Sequence, residues 1–271
     1  MGSAFTAIAD NADAPYWNPA GLGQITSSEI TTMQTRLSTD ADHYYVSYVR
    51  PALGGTLGIS WIQVGLGSIS QTSAEVDINN EVQNLSIFSY FSNAYLLSYG
   101  KNLNEHISVG LTGKYLTSDM AGISGGQGSG YSITPALLLR ITRYASRITL
   151  GAKLDDAINQ QQWGTGTIEK VPSKLRLGLA YQFPSPHTPS PTPHTFAVDV
   201  SQTMKSNYSP DVSAGYEWAD RFLSFRVGYA GSGLTAGAGF AINQARVDYA
   251  FVNNRELSSS NVHRISLSGV W

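Results

Sequence analysis

From about Ser27 onward, apolar and polar residues alternate along the chain with a period of two. That period marks strands whose two faces meet different surroundings. Segment 174–183 carries Leu175, Leu177, Leu179, Tyr181 and Phe183 on one face, with Arg176, Gly178 and Gln182 opposite. Segment 221–230 repeats the scheme with Leu223, Phe225, Val227 and Tyr229 against Ser224, Arg226 and Gly228. Segment 106–117 sets Ile107, Val109, Leu111 and Tyr115 against Ser108, Gly110, Thr112 and Lys114. The same reading predicts strands over 30–37 (face Thr31, Met33, Thr35, Leu37), 43–50, 55–64, 93–101, 130–140, 146–154, 195–202, 211–218, 233–241, 244–252 and 263–271. About fourteen segments of roughly 8–11 residues result, the length that a tilted transmembrane strand needs.

The composition of the faces decides between two all-β classes. A soluble sandwich also alternates, but its outer face is rich in charge and its inner face is apolar. Here one face is aliphatic and aromatic, while the other is Gly, Ser, Thr and scattered charge. Lipid outside and a polar interior account for both. Only 13% of the residues are charged, against about 25% in an ordinary soluble domain. The longest apolar run, Pro135 to Leu139, is far short of the ~18 residues of a membrane helix. The predicted fold is therefore all-β: a transmembrane antiparallel up-and-down barrel. A formal net charge of −2 and singly scattered Lys and Arg give no reason to expect a nucleic-acid partner. The chain lacks cysteine, which suits an oxidising periplasmic route. No signal peptide is visible, and Met1 is expected not to be the native start.

The connections agree. Pro51–Gly55, Asn102–His106, Ala219–Asp220 and Ile242–Asn243 read as tight turns. Gly65–Ser92, Thr117–Gly130, Asp155–Ser173 and Asn253–Val262 read as longer, still modest, external loops. Short periplasmic turns and longer external loops are typical of such barrels. Pro184–Pro193 is the exception, a Pro-, Ser- and His-rich connection on the short-turn side. Trp271 closes the last strand with an interfacial aromatic and is the residue on which recognition by assembly machinery would fall.

The first 23 residues differ. Ala4–Ala14 is alanine-rich and predicts a short helix. Asn18 then reads as an N-cap with Pro19 in the first helical position, where a missing N–H costs nothing.

This region carries a family resemblance. Met1–Asp10 followed by Tyr16-Trp17-Asn18-Pro19-Ala20-Gly21-Leu22 resembles the start of PorV/PorQ-type outer-membrane proteins, within the wider FadL-like barrels. Val171–Tyr181, Phe225–Tyr229, Val247–Phe251 and His263–Leu267 are similar to the same family. The resemblance implies fourteen strands, a bacterial outer-membrane location and an N-terminal plug over 1–24, with Asn18, Pro19, Ala20 and Gly21 at its centre, inside a barrel over 25–271. In FadL-like transporters, hydrophobic substrates such as fatty acids enter from outside and leave sideways through a gap in the wall. PorV-type members serve type IX secretion, holding cargo at the cell surface.

Three groups of candidate residues follow. Charges facing mid-bilayer lipid would cost about 2–4 kcal/mol for each Arg or Lys. Arg176, Asp199, Glu217, Arg226, Arg246, Asp248 and Arg264, with Arg36, Lys114, Arg140, Arg147 and Lys153, are therefore expected to face the lumen. There they brace the barrel and hold the N-terminal segment, or else line a pore. Ile87, Phe88, Tyr90 and Phe91 in the loop 65–92, and Trp163 in the loop 155–173, could capture a hydrophobic ligand or touch a surface or secreted protein. The run Gly122–Gly130 lacks the following Lys-Ser/Thr of a phosphate loop. The five histidines lack metal-ligand spacing, and no serine stands in a nucleophile context. No metal, cofactor or catalysis is expected. The leading expectation is passage or binding of hydrophobic small molecules through a plugged lumen. A non-transporting scaffold for a secreted protein and a small non-specific porin are the alternatives.

Overall fold

The computed structural model describes residues 1–271 apart from 38–40, 77, 78, 80, 144, 185–193, 232 and 254–260. The strands are β1 (Glu29–Arg36), β2 (Asp42–Ala52), β3 (Gly55–Val76), β4 (Val82–Asn102), β5 (Ile107–Ala121), β6 (Gln127–Arg143), β7 (Ser146–Asp155), β8 (Ile158–Trp163), β9 (Ile168–Glu169), β10 (Lys174–Phe183), β11 (His194–Thr203), β12 (Asp211–Ala219), β13 (Leu223–Ala230), β14 (Gly233–Ile242), β15 (Ala245–Val252) and β16 (Val262–Val270). Without β8 and β9, fourteen strands close into a ring of antiparallel neighbours. The closing seam pairs β1 with β16 from Glu29↔Val270 to Arg36↔His263. Trp271 extends this seam through its backbone pairing with Ser28 and stacks on Tyr48 at 6.0 Å.

The two faces take the expected sides. Leu177, Leu179, Phe225, Val227, Ile265 and Leu267 project from the outside of the wall, whereas Ser108, Thr112, Ser132, Thr134 and Thr149 are buried within. The inverted pattern follows from the solvent: lipid takes the apolar side, and the tube takes the small polar side. Outward aromatics gather in two belts. Phe183, His194, Phe196 and Tyr216 stack on β10–β12 near the short-turn end. Trp61, Tyr95, Tyr115 and Tyr131 form a cross-strand row toward the other end.

Four expectations are corrected. Thr31, Met33 and Thr35 share the lumen-side pattern on β1, while Ile30, Thr32 and Gln34 point outward. This strand is too polar on both faces for alternation alone to assign its side. Arg36 belongs to the outward set and is exposed at the long-loop end of β1, where water rather than lipid is the neighbour. The stretch 65–92 is not a loop: β3 and β4 continue as one hairpin to Val76↔Val82, with register shifts between Leu66 and Ile69 and further out. At about 3.3 Å per residue, the hairpin rises on the order of 40 Å along its strands past the outer aromatic row. Residues 155–173 likewise include the hairpin β8–β9, whose first strand pairs with the raised end of β6. The external connections are thus not modest, because one side of the wall continues far above the rim. The Pro184–Pro193 connection lies almost wholly outside the described residues.

Candidate functional site

The buried apolar core is the N-terminal segment itself. Ala4, Ala7, Ile8, Ala9, Ala12, Ala14, Ala20, Leu22 and Ile25 are all buried, and two clusters join them to Val49, Ala180 and Ala197 of the wall. The predicted helix over 4–14 is absent. Among the described residues, the segment forms one α-helical turn (Ala14–Trp17) and a 3₁₀ helix (Pro19–Gln24), with turns before them. Alanine propensity loses because side chains take carbonyls that a helix over 4–14 would use: Asn18 Nδ2 binds that of Thr6 and Gln24 Nε2 that of Ile8. Asp199 Oδ2 on β11 accepts hydrogen bonds from the N–H groups of Phe5 at 3.0 Å and Thr6 at 2.9 Å. Ser3 and Ala9 also adopt positive φ of 67° and 33°.

Three cross-strand glycine pairs receive this backbone. Gly100 faces Gly110 on β4 and β5, Gly151 faces Gly178 on β7 and β10, and Gly215 faces Gly228 on β12 and β13. A Cβ at Gly100 or Gly110 would lie less than 3.0 Å from Pro19 or Ala20 backbone. At Gly151 or Gly178 it would meet Thr6 or Ala7, and at Gly215 or Gly228 it would meet Met1 or Gly2. Glycine is needed here because main chain packs on main chain. The sequence places glycines on the polar face but gives no sign of the partner they admit.

Asn18 is the internal tie. Its Oδ1 accepts from Ala20 N at 3.0 Å, capping the 3₁₀ helix. Its Nδ2 donates to the Thr6 carbonyl at 2.8 Å and the Leu137 carbonyl at 3.4 Å. Pro19, Ala20 and Gly21 are buried beside it. Gln24 Nε2 donates to the Ile8 carbonyl at 2.8 Å, and Tyr45 donates to the Ala12 carbonyl at 3.3 Å.

The inward charges divide into two clusters rather than one network. Arg226 pairs with Glu217 and, at 2.6 Å, with Asp248, which also binds Arg246 at 2.8 Å. Across the lumen, Asp155 pairs with Lys153 at 2.7 Å and Arg176 at 2.8 Å, while Lys114 reaches Asp156 at 2.9 Å. Lys153 also donates to the Tyr16 carbonyl and sits 5.8 Å from the Tyr16 ring centroid. Arg140 and Arg147 bind Asn102, Ser108 and Gln182 instead. Arg264 lines the lumen without an ion pair among the described residues. Sequence reasoning missed Asp155 and Asp156, which it placed at the start of a loop. Asp156 stands where the ladder from β7 to β6 breaks: β6 pairs with β7 as far as Ala136 and with β8 from Ile133. Pro135 at the break has no N–H to give, and Asp156 adopts a φ of 54°.

Two lumen regions flank the segment. A cavity of about 530 Å³ lies between it and β12–β16 with β1. Its lining includes Asp10, Asp13, Glu29, Glu217 and Asp248 with Arg226, Arg246 and Arg264. In the segment, burial and then the carboxylates of Asp248 and Asp10 lift the Asp13 carboxyl to about 6. Burial followed by Glu217 likewise raises Asp10. The second region is apolar. Met33, Tyr45, Ile62, Ala94 and Leu116 are successive cross-strand neighbours on the lumen face of β1–β5. Tyr16, 41% exposed, borders this row through its contact with Tyr45 at 6.1 Å between ring centroids. Among the described residues, no group of three or more His, Asp and Glu side chains could hold a metal ion.

The five outer candidates do not converge. Tyr90 shares the lumen face of β4 and donates to Ser118 Oγ at 3.4 Å, and Phe88 lies on the same face. Ile87 and Phe91 lie on the opposite face and are exposed. Trp163 ends β8 beside Gly128. Beyond the interface both faces of a strand meet water, so the sequence gives no cue to their sides.

A closed wall with its apolar side outward and its own N-terminal segment inside defines an outer-membrane-type barrel with an occupied lumen. Its fold is that of the FadL-like transporters. The Ralstonia pickettii toluene transporter TbuX aligns with 100% of this chain and 98% of its own, at TM-score 0.61 and 15% identity. The Pseudomonas putida toluene transporter TodX aligns over 96% and 94%, at TM-score 0.62 and 12% identity. A Pseudomonas aeruginosa FadL homologue aligns over 99% and 95%, at TM-score 0.59 and 11% identity. No family model matches the chain, and no curated protein matches it by sequence.

Proposed function

We propose that this protein sits in a bacterial outer membrane and admits apolar small molecules from its long-loop side, with residues 1–24 as the plug. The observation that carries the reading is the apolar row Met33–Tyr45–Ile62–Ala94–Leu116 above a half-exposed Tyr16. The rest of the lumen face mixes Gly, Ser, Thr and charge with single apolar residues such as Val49, Leu96 and Leu138, whereas this row sets five apolar residues side by side. The molecule settles on the row and meets Tyr16, whose carbonyl is held by Lys153. Lys153 in turn shares Asp155 with the cluster at the Pro135–Asp156 break in the wall. Loosening that cluster frees the segment on one side and weakens the β6–β7 seam on the other, giving a path out of the lumen. Two of the named structural neighbours are toluene transporters, so a neutral monoaromatic is the first substrate to try. Replacing Ile62 by Arg places a guanidinium in the row. Toluene uptake by cells expressing the variant is expected to fall at least tenfold, with folded barrel at normal levels. Unchanged uptake would remove the row from the route.

A second reading, a scaffold that holds a secreted or surface protein, draws on the raised β3–β4 hairpin, where Val82, Leu85 and Ile87 are exposed.

A further inference from the structure

We propose that the barrel carries a second, hydrophilic passage for small hydrated cations, beside the N-terminal segment and separate from any apolar route. The segment docks on glycine pairs of β4/β5, β7/β10 and β12/β13, which leaves β14–β16 almost uncovered. Its described hydrogen bond to this part of the wall runs from Gly2 N to Thr235 Oγ1 at 3.1 Å. Between the charged side chains of Arg246, Asp248 and Arg264, the lumen face there is built of small groups: Thr235, Gly237, Ala250, Ser266 and Ser268. The space between is the cavity of about 530 Å³. At roughly 30 Å³ per water in the liquid, it holds on the order of twenty waters.

The lining reaches from the β14–β15 turn residues Asn243 and Gln244 to Val252, the last residue of β15. Eight residues at about 3.3 Å each span roughly 26 Å along the strand. The walls are charged in a definite way. Glu217 and Asp248 are balanced by Arg226 and Arg246 through direct ion pairs. Asp10, Asp13 and Glu29 remain against Arg264 and the Met1 ammonium, a formal excess of one negative charge when the carboxyls are ionised. The unbalanced charge is therefore negative, which favours cations. An apolar ligand gains nothing from such walls, so the two routes divide the lumen by chemistry.

The test uses the full chain in a planar bilayer under a KCl gradient, beside a form whose segment is fixed in place. The chain has no cysteine, so Ala7→Cys with Ala180→Cys, two buried neighbours in one cluster, creates a single possible disulfide. Native and oxidised proteins are both expected to show a small, steady ohmic conductance with a reversal potential displaced toward that of potassium. Ala250→Trp, or Ser266→Phe should the first not fold, narrows the conduit and is expected to lower conductance severalfold while toluene uptake is kept. A folded, inserted protein with no conductance above the bare bilayer overturns the proposal. So does conductance that vanishes on oxidation and returns with reductant, since current then follows displacement of the segment. Anion selectivity overturns the charge assignment. The conductance, its selectivity and its response to oxidation are read without apolar uptake, so they can fail while the apolar route stands.

Discussion

At the scale of single residues, main-chain packing on glycine and one buried carboxylate hold the N-terminal segment. Gly110→Val places a branched side chain where Ala20 N and the Pro19 carbonyl carbon now lie. The wall should still form, because valine suits a strand, but the segment cannot seat. Limited proteolysis of folded barrel is expected to clip residues 1–24 at least tenfold faster than in the parent; equal protection would refute the docking. Asp199 supplies two charge-assisted bonds, each of a kind worth about 1.5–3 kcal/mol. Asp13 adds a pH dependence. Its carboxyl is lifted from 3.8 to about 6 by burial and by Asp248 and Asp10, while Thr31 and Arg226 oppose the rise. The folded state thus holds a proton that the free segment has lost, so the Asp13 contribution to docking weakens as pH rises from about 4 to about 6, and the raised Asp10 carboxyl acts in the same direction. Hydrogen exchange of residues 5–20 should be slower at pH 5 than at pH 7, after correction for intrinsic rates. Asp13→Asn should reduce that difference, and adding Asp10→Asn should reduce it further; a difference unchanged in the double variant assigns the effect elsewhere. Asn18 was legible in the sequence because capping is local. The glycine pairs were not, since each needs a partner about a hundred residues away or more.

At the scale of elements, legibility followed the solvent. Where a strand crosses lipid its faces meet opposite media, and segments such as 174–183 and 221–230 announce both their period and their side. Beyond the membrane both faces meet water, alternation carries no penalty for failure, and Gly65–Val76 reads as loop although it is strand. β1 lies between these cases: Thr31, Thr32 and Thr35 suit either face. The raised hairpin tests the scaffold reading. Replacing residues 70–87 by a short Gly-Asn turn leaves the ring of fourteen intact. If the barrel is a transporter, toluene uptake should stay within about twofold of the parent. Loss of all uptake would give the hairpin a part in capture and move the entry point above the Met33–Leu116 row.

At the scale of the whole molecule, the chain has two interiors. One is apolar, faces the long-loop side and ends on Tyr16. The other is charged and runs along the adjoining wall, β12–β16 with β1. The division accounts for a lumen that keeps charge while presenting Met33, Tyr45, Ile62, Ala94 and Leu116 in one row. On the function proposed above, the segment is a movable barrier on the apolar side. The most direct measurement of that role is toluene uptake by cells expressing the Ala7→Cys, Ala180→Cys protein, with the disulfide verified by mass. Uptake near the background of barrel-free cells when oxidised, restored on reduction, is the expected result; full uptake with the disulfide closed would contradict the account.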